Sequence, residues 1–164
     1  MKGKGKLYVV DVAGLTLKIK DGALYTTPEI LEEAKGEIKE AVTRARVEGG
    51  ELVIREADHL FVERARAEAD RTGDRRVLSD ADISLLALFL DLSDREETVL
   101  LTDDYALQNI ALSLGLEVKS IVGRRIRDVL IWKVYCPICR MEFSSNYGGD
   151  KCPDCGSLLS RRAV

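Results

Sequence analysis

The sequence predicts an α/β fold, a parallel sheet flanked by helices, followed by a small module that a metal ion holds together. Three observations carry this. Short apolar runs alternate with helical patterns through the first 120 of 164 residues, the pattern of a parallel sheet wrapped by its crossover helices. Hydrophobic residues make up 46% and charged residues 32%, enough apolar material for a core and too much for a wholly disordered chain. All four cysteines fall in the last 29 residues, as Cys136-Pro-Ile-Cys139 and Cys152-Pro-Asp-Cys155 with twelve residues between them.

The elements follow in order. Leu7-Tyr8-Val9-Val10 reads as a buried strand ending at Asp11. Residues 12–26, with Gly14 and Gly22, read as a loop. Thr27-Pro28-Glu29 opens a helix, with an N-cap hydroxyl, proline at the first helical position and an acid in the first turn. That helix runs toward Glu48, with a break expected near Gly36, and Gly49-Gly50 ends it. Leu52-Val53-Ile54 is a second strand, and residues 56–72 form a helix with a Glu/Arg-laced face. Ser79-Asp80-Ala81-Asp82 opens a helix that is apolar through Leu90 and therefore central. Thr98-Val99-Leu100-Leu101 is a third strand, ending at Thr102-Asp103-Asp104. A helix follows to about Leu114, stopped by Gly115, and Leu116-Glu117-Val118 starts a fourth strand. The basic stretch Gly123 to Asp128 marks a boundary, which divides the chain into 1–122, a basic linker 123–132 and a cysteine module 133–164. The two Cys-Pro-x-Cys knuckles are the one internal repeat.

Composition excludes several classes. The longest apolar runs, Leu85 to Leu90 and Val129 to Trp132, are far below the roughly 18 residues of a membrane span. The start, MKGKGKLYVVD, has lysines but no apolar h-region, so no secretory leader and a cytoplasmic location are expected. One Gln (Gln108), two Asn (Asn109 and Asn146) and 53 charged residues lean toward a thermophilic source. Residues 1–116 carry 16 Lys/Arg against 23 Asp/Glu, and residues 117–164 carry 9 against 5. A polyanion is therefore expected to bind the C-terminal part.

In a leaderless chain, paired C-x-x-C motifs read as a metal site rather than disulfides. Four thiolates close the tetrahedron of one structural zinc and leave no open position. For about 30 residues the metal supplies stability that so small a core cannot. A redox pair fits less well because there are two knuckles, and a rubredoxin-like iron site less well because the gap is short.

Among 28 acids, a few positions stand out. Asp11 and Asp104, with Asp103 beside it, follow the carboxyl ends of strands, where open α/β sheets bind ligands. Asp82 sits in the first turn of a helix and Glu33 on the second turn after Pro28. Converging, they make an oxygen-only pocket that suits Mg²⁺ or Mn²⁺. Each also has a purely structural reading. Asp82 completes a capping box with Ser79, Asp103 and Asp104 favour a helix dipole, and Glu33 belongs to a solvated run with Glu29, Glu32, Glu37 and Glu40. His59, the single histidine, lies in a helix among Ala57, Leu60 and Phe61 and reads as structural. Neither a phosphate-binding Gly-rich loop nor a multi-His site is present.

Taken together, the ordered set of strand-Asp11, Thr27-Pro28 with Glu33, Ser79-x-Ala81-Asp82 before Leu85-Leu86-Ala87-Leu88, and Leu101-Thr102-Asp103-Asp104-Tyr105 resembles the PIN-domain nucleases. The tail, Trp132-Lys133 and then the two cysteine knuckles, resembles the Nob-type endonucleases of archaea and eukaryotes, over essentially the whole chain. The resemblance implies a PIN-like α/β domain over 1–122 followed by a zinc ribbon. It implies a metal-dependent endoribonuclease that cuts precursor small-subunit (16S) rRNA to form its mature 3′ end, with the pre-ribosomal small subunit as partner and no membrane. Asp11, Glu33, Asp82 and Asp104 become the acidic ligands, with Glu33 chosen over Glu32 or Glu29, and Asp103 sharing or replacing Asp104. Such acids supply phosphodiester hydrolysis without a histidine.

RNA contacts are expected from the tail: Arg124, Arg125, Arg127, Lys133, Arg140 and Lys151, together with Lys119. Trp132, Tyr135, Phe143 and Tyr147 either stack on unpaired bases or fill the ribbon's core. Two other readings stand: a toxin-like PIN ribonuclease acting on tRNA or mRNA, and an inactive RNA- or ribosome-binding module.

Overall fold

A computed structural model describes residues 5–164; the lysine-bearing first four residues lie outside the described residues. The main sheet has five strands, β1 (Leu7–Val10), β2 (Ala23–Thr26), β3 (Leu52–Ile54), β4 (Thr98–Leu101) and β5 (Val118–Lys119), all parallel, in the order β3-β2-β1-β4-β5. Around it lie α1 (Pro28–Glu33), α2 (Glu37–Glu48), α3 (His59–Thr72), α4 (Asp80–Ser93) and α5 (Tyr105–Ser113). A second, antiparallel sheet, β7-β6-β8, is built from β6 (Trp132–Tyr135), β7 (Glu142–Phe143) and β8 (Ser160–Ala163). The fold is the expected one, an α/β parallel sheet with a small cysteine ribbon. No helix among the described residues is long and apolar enough to cross a membrane.

Local chemistry explains most boundaries. Thr27 caps α1 through its hydroxyl, and Pro28 takes the first helical position. The expected break falls at Gly36, whose φ of 122° no L side chain adopts readily and which separates α1 from α2. Ser79 and Asp82 form the capping box of α4. That helix is the centre of the molecule: Leu85 to Leu90 are at most 1% exposed, as an all-round apolar helix requires. It packs against α3, α1, β1 and β4.

One segment differs from expectation. Residues 12–26, read as a loop, contain a 3-10 turn (Val12–Thr16) and the strand β2. The strand is only four residues long and buries alternate side chains, Leu24 and Thr26. Its crossover from β1 is a 3-10 turn and not an α-helix, so no helical period announces a parallel partner. His59 also differs: it opens α3 with 82% of its side chain exposed, 3.9 Å from Glu63, and packs into nothing.

The sheet order fixes where a ligand can bind. From β1 the chain moves outward through β2 and β3, then returns to place β4 on the other side of β1. The strand order therefore reverses between β1 and β4, and the crevice beyond their carboxyl ends is the switch point of the sheet.

Candidate active site

β1 and β4 are paired through Val10 and Leu101, so the next residues out, Asp11 and Thr102, face each other. The Thr102 hydroxyl donates to Asp11 Oδ2 at 2.5 Å and accepts from the Asp104 amide at 3.0 Å. One threonine thereby links the two acids across the switch point. Asp11 Oδ1 accepts from the Ala13 and Gly14 amides at 3.0 and 3.2 Å. Asp104 caps α5, its Oδ1 accepting from Ala106 and Leu107 at 2.7 and 2.9 Å. Burial pushes the Asp11 carboxyl upward; the bonds from Thr102, Gly14 and Ala13 pull it back, and the charge of Asp103 adds to the rise. A half-buried acid whose charged form is disfavoured, beside other acids, suits a hard cation.

The second acidic group comes from α1 and α4. Thr27, at the head of α1, hydrogen-bonds the Ser84 hydroxyl at 2.9 Å, which joins the start of α1 to the first turns of α4. Asp82 uses Oδ2 for the Ser79 amide and hydroxyl, at 2.8 and 2.9 Å. Glu33 is exposed at the end of α1. Four residues earlier, Glu29 has its Oε2 shielded from water with no hydrogen-bond partner. No three of Asp11, Asp82, Asp104 and Glu33 bring their ligand atoms within 4.8 Å of one another. Among the described residues the cysteines are the one group of three or more His, Cys, Asp or Glu with ligand atoms all within 4.8 Å. Asp11, Asp82 and Asp104 are each held by their own donors.

Asp103 spends its carboxylate on the loop after β5. Its Oδ1 accepts from the Ser120 hydroxyl at 2.5 Å and from the amides of Ile121, Val122 and Gly123 at 2.8 to 3.2 Å. Those bonds, Ser120 and Gly123 foremost, hold its carboxyl down to about 2. It ties down the loop that leads into Arg124, Arg125 and Arg127, all three exposed.

That loop continues as an ordered strap. Gln108 and Asn109, both buried on α5, bind it through side-chain amides. Gln108 accepts from the Ile126 amide at 3.0 Å, and Asn109 pairs with both polar atoms of the Leu130 backbone. Asn109 also donates to Asp74 at 2.7 Å. Sequence reasoning missed both amides as organising residues; the signal was there, since a chain nearly free of amides places two together on an apolar helix.

The ribbon meets the first domain at Gly73, which closes α3 with φ 78°. A Cβ there would stand 2.5 Å from the Trp132 carbonyl oxygen. Arg161 donates to the Gly73 carbonyl and lies 4.9 Å over the Trp132 ring. Ser145 reaches the Asp70 carbonyl at 2.6 Å, and Arg76 pairs with Asp150 at 2.7 Å. Trp132 is thus half-buried at the junction. Phe143 and Tyr147 stack on each other at 4.6 Å inside the ribbon, and Arg162 covers Tyr135. Lys133, Arg140 and Lys151 are exposed.

The cysteine sulfurs close up as Cys136 to Cys155 at 3.4 Å and Cys139 to Cys152 at 3.5 Å. Sulfurs around a tetrahedral zinc stand about 3.8 Å apart, so the cluster fits one metal ion. Ser157 first, then neighbouring thiols, hold Cys155 down to about 6. The Met141 amide favours the Cys139 thiolate, but burial and the other thiols outweigh it and push Cys139 up to about 12.

Known proteins agree with this architecture. The family model described as the PIN domain of ribonuclease matches residues 9–92. Endoribonuclease Nob1 of Methanocaldococcus jannaschii is 36% identical over 146 residues, covering 89% of this chain and 70% of the relative. Endoribonuclease Nob1 of Archaeoglobus fulgidus is 38% identical over 145 residues, covering 86% and 81%. That of Pyrococcus abyssi is 32% identical over 141 residues, covering 84% of each. With Asp11 and Asp82 inside the matched region, relatives of 32 to 38% identity over most of the chain and the four-cysteine ribbon behind them, the chain belongs to the Nob1 family of PIN-domain endoribonucleases.

Proposed function

We propose that this endoribonuclease cleaves precursor small-subunit rRNA at its mature 3′ end, presented on the pre-ribosomal small subunit. The observation that supports it most is the Thr102 bridge between Asp11 and Asp104 at the switch point, which fixes two acids where the fold binds ligands. Asp11, Asp82 and Asp104 would hold Mg²⁺ or Mn²⁺, with Glu33 completing the acidic set and Cys136, Cys139, Cys152 and Cys155 holding one structural zinc.

When bound among the acids, the divalent ion supplies charge neutralisation at the scissile phosphate and activation of water. The chain's own groups do the rest. Asp11 and Asp104 spend oxygens on backbone amides and so keep fixed orientations, while Asp104 Oδ2 and Asp82 Oδ1 are left for a ligand. Arg124, Arg125 and Arg127, held by the strap, bind the phosphate backbone, with Lys133, Arg140 and Lys151 extending that surface along the ribbon. No side chain attacks the RNA covalently, in keeping with a site that lacks histidine.

The test is cleavage of a short RNA spanning the 3′ end of small-subunit rRNA and its trailer, with added Mn²⁺ or Mg²⁺ and with neither. We expect a single metal-dependent cut at the mature end, lost in Asp11→Asn while RNA binding persists. A metal-independent cut, or undiminished cutting by Asp11→Asn, overturns the acidic-site assignment. Cuts scattered along the RNA, or preferred cutting of tRNA, overturn the rRNA assignment.

A further inference from the structure

Between the start of α5 and the ribbon lies a cavity of about 250 Å³. Tyr105 and Val77 form its rim, each 57% exposed, and Trp132 forms a wall. Asp74 and Asn109, each 2% exposed, lie at its floor. We infer that this cavity is a slot for one unstacked nucleobase of the single-stranded RNA substrate, beside the cleavage site. The inference rests on the ribonuclease reading and deepens it.

Four features carry it. The first is position: Tyr105 directly follows Asp104, the cap of α5, so a base in the slot belongs to a nucleotide near the reacting phosphate. The second is size. The volume falls short of the roughly 300–1,000 Å³ of pockets for drug-sized ligands and suits one flat ring system. The third is chemistry. Tyr105 offers an exposed aromatic face, and Trp132 is already polarised by the Arg161 guanidinium over its ring; proteins that read unpaired RNA stack bases on such groups.

The fourth is charge complementarity along a strand. The slot shares Ile126 with a cavity of about 820 Å³ lined by Arg124, Arg125 and Arg127. On its other side it shares Val77 and Arg161 with a cavity of about 590 Å³ that also holds Arg76, paired with Asp150. A basic cleft, an apolar slot and a cleft with two arginines against one aspartate, in series, match the order phosphate, base, phosphate along an extended strand. A protein partner's apolar side chain would gain nothing from arginines on both sides. The ribbon supplies Trp132 and Arg161 while the first domain supplies Tyr105 and Val77, so the slot exists only while the two are docked.

The experiment uses the full zinc-loaded chain and a set of RNAs spanning the cleavage site, each with one abasic nucleotide. Affinity is measured with Ca²⁺ in place of the catalytic ion, and cleavage with Mn²⁺. We expect one abasic position to weaken binding about tenfold, the scale of a single base-aromatic stack, with the other positions close to the intact RNA. Tyr105→Ala should weaken intact RNA by a similar factor and erase the penalty at that position, while Tyr105→Phe restores both. Tyr105 is exposed, so its truncation leaves the core unchanged. An abasic scan without position dependence, or a penalty that survives Tyr105→Ala, overturns the slot even if the wild type cuts correctly. A position-specific, Tyr105-dependent penalty in a chain that cuts no RNA upholds the slot and overturns the catalytic reading instead.

Discussion

Adjacent acids divide the work at the switch point, and single substitutions separate their roles. Asp103 serves as an acceptor for the Ser120 hydroxyl and three amides, a task an amide oxygen also performs. Asp103→Asn should therefore cut RNA nearly as well as wild type. Asp103→Ala frees the loop and, at about 1 kcal/mol for each of its better bonds, should raise KM about tenfold with kcat little changed. Loss of kcat in Asp103→Asn would instead make it a metal ligand. Asp74 yields a pH prediction at the junction with the ribbon. Burial raises its carboxyl, with Asn109, Thr72 and the Arg161 charge pulling it back and Asp104 adding to the rise. A carboxyl raised on folding binds its proton more tightly in the native state, so its share of stability falls as pH climbs from the unfolded value through the folded one. The melting temperature of Asp74→Asn minus that of wild type should increase over that window and then level off; a difference that shrinks with rising pH would contradict this. Asp11, Asp82 and Asp104 were legible because strand ends and helix caps leave sequence marks. The separate task of Asp103 was not, because its partners at 120–123 depend on how a distant loop returns to the sheet.

At the scale of elements, the same split recurs. The capping box of α4, its apolar run and the Gly36 break are local, and all could be read from spacing; β2 could not, because its strand identity comes from pairing with β1 and β3. The ribbon knuckles show how far local repetition reaches. Arg140 and Gly156 both stand four residues after the first cysteine of their knuckle, and both are left-handed, with φ of 61° and 74°. Glycine adopts that conformation freely, whereas arginine does so at a cost of about 1 kcal/mol. Arg140→Gly should therefore stabilise the ribbon by roughly that amount while weakening RNA affinity, measured by zinc-release midpoint and by titration. A less stable ribbon, or unchanged affinity, would separate Arg140 from the strain or from the RNA. Gly73 is the corresponding weak point between the domains. Gly73→Ala places a methyl against the Trp132 carbonyl at positive φ and should cost about 2 kcal/mol or more. Limited proteolysis should then cut the strap at 123–131, which Gln108 and Asn109 protect in the wild type.

At the scale of the whole molecule, two sources of stability meet at one interface. The α/β domain has its own core, with Leu85 to Leu92 of α4 buried against its neighbours, β1 and β4 among them. The ribbon buries little beyond Val134, Cys136 and Cys152, so its fold is expected to depend on a metal ion held by the four cysteines. The junction couples the two through Arg161 to Gly73, Ser145 to Asp70 and Arg76 to Asp150. Removing zinc with a chelator, or substituting Cys139→Ser, should therefore melt the ribbon first and leave the α/β domain folded. Calorimetry should resolve a low-temperature transition that zinc restores in the wild type and not in Cys139→Ser. Far-ultraviolet circular dichroism should retain its helical signal through that step, because every described helix lies before Leu114. RNA affinity should fall with the ribbon, since Trp132, Lys133, Lys151 and Arg161 lose their places together, while the acids at the switch point keep theirs. A single cooperative transition that includes the helices would mean that the junction welds both parts into one folding unit, and Gly73→Ala should then split that transition in two.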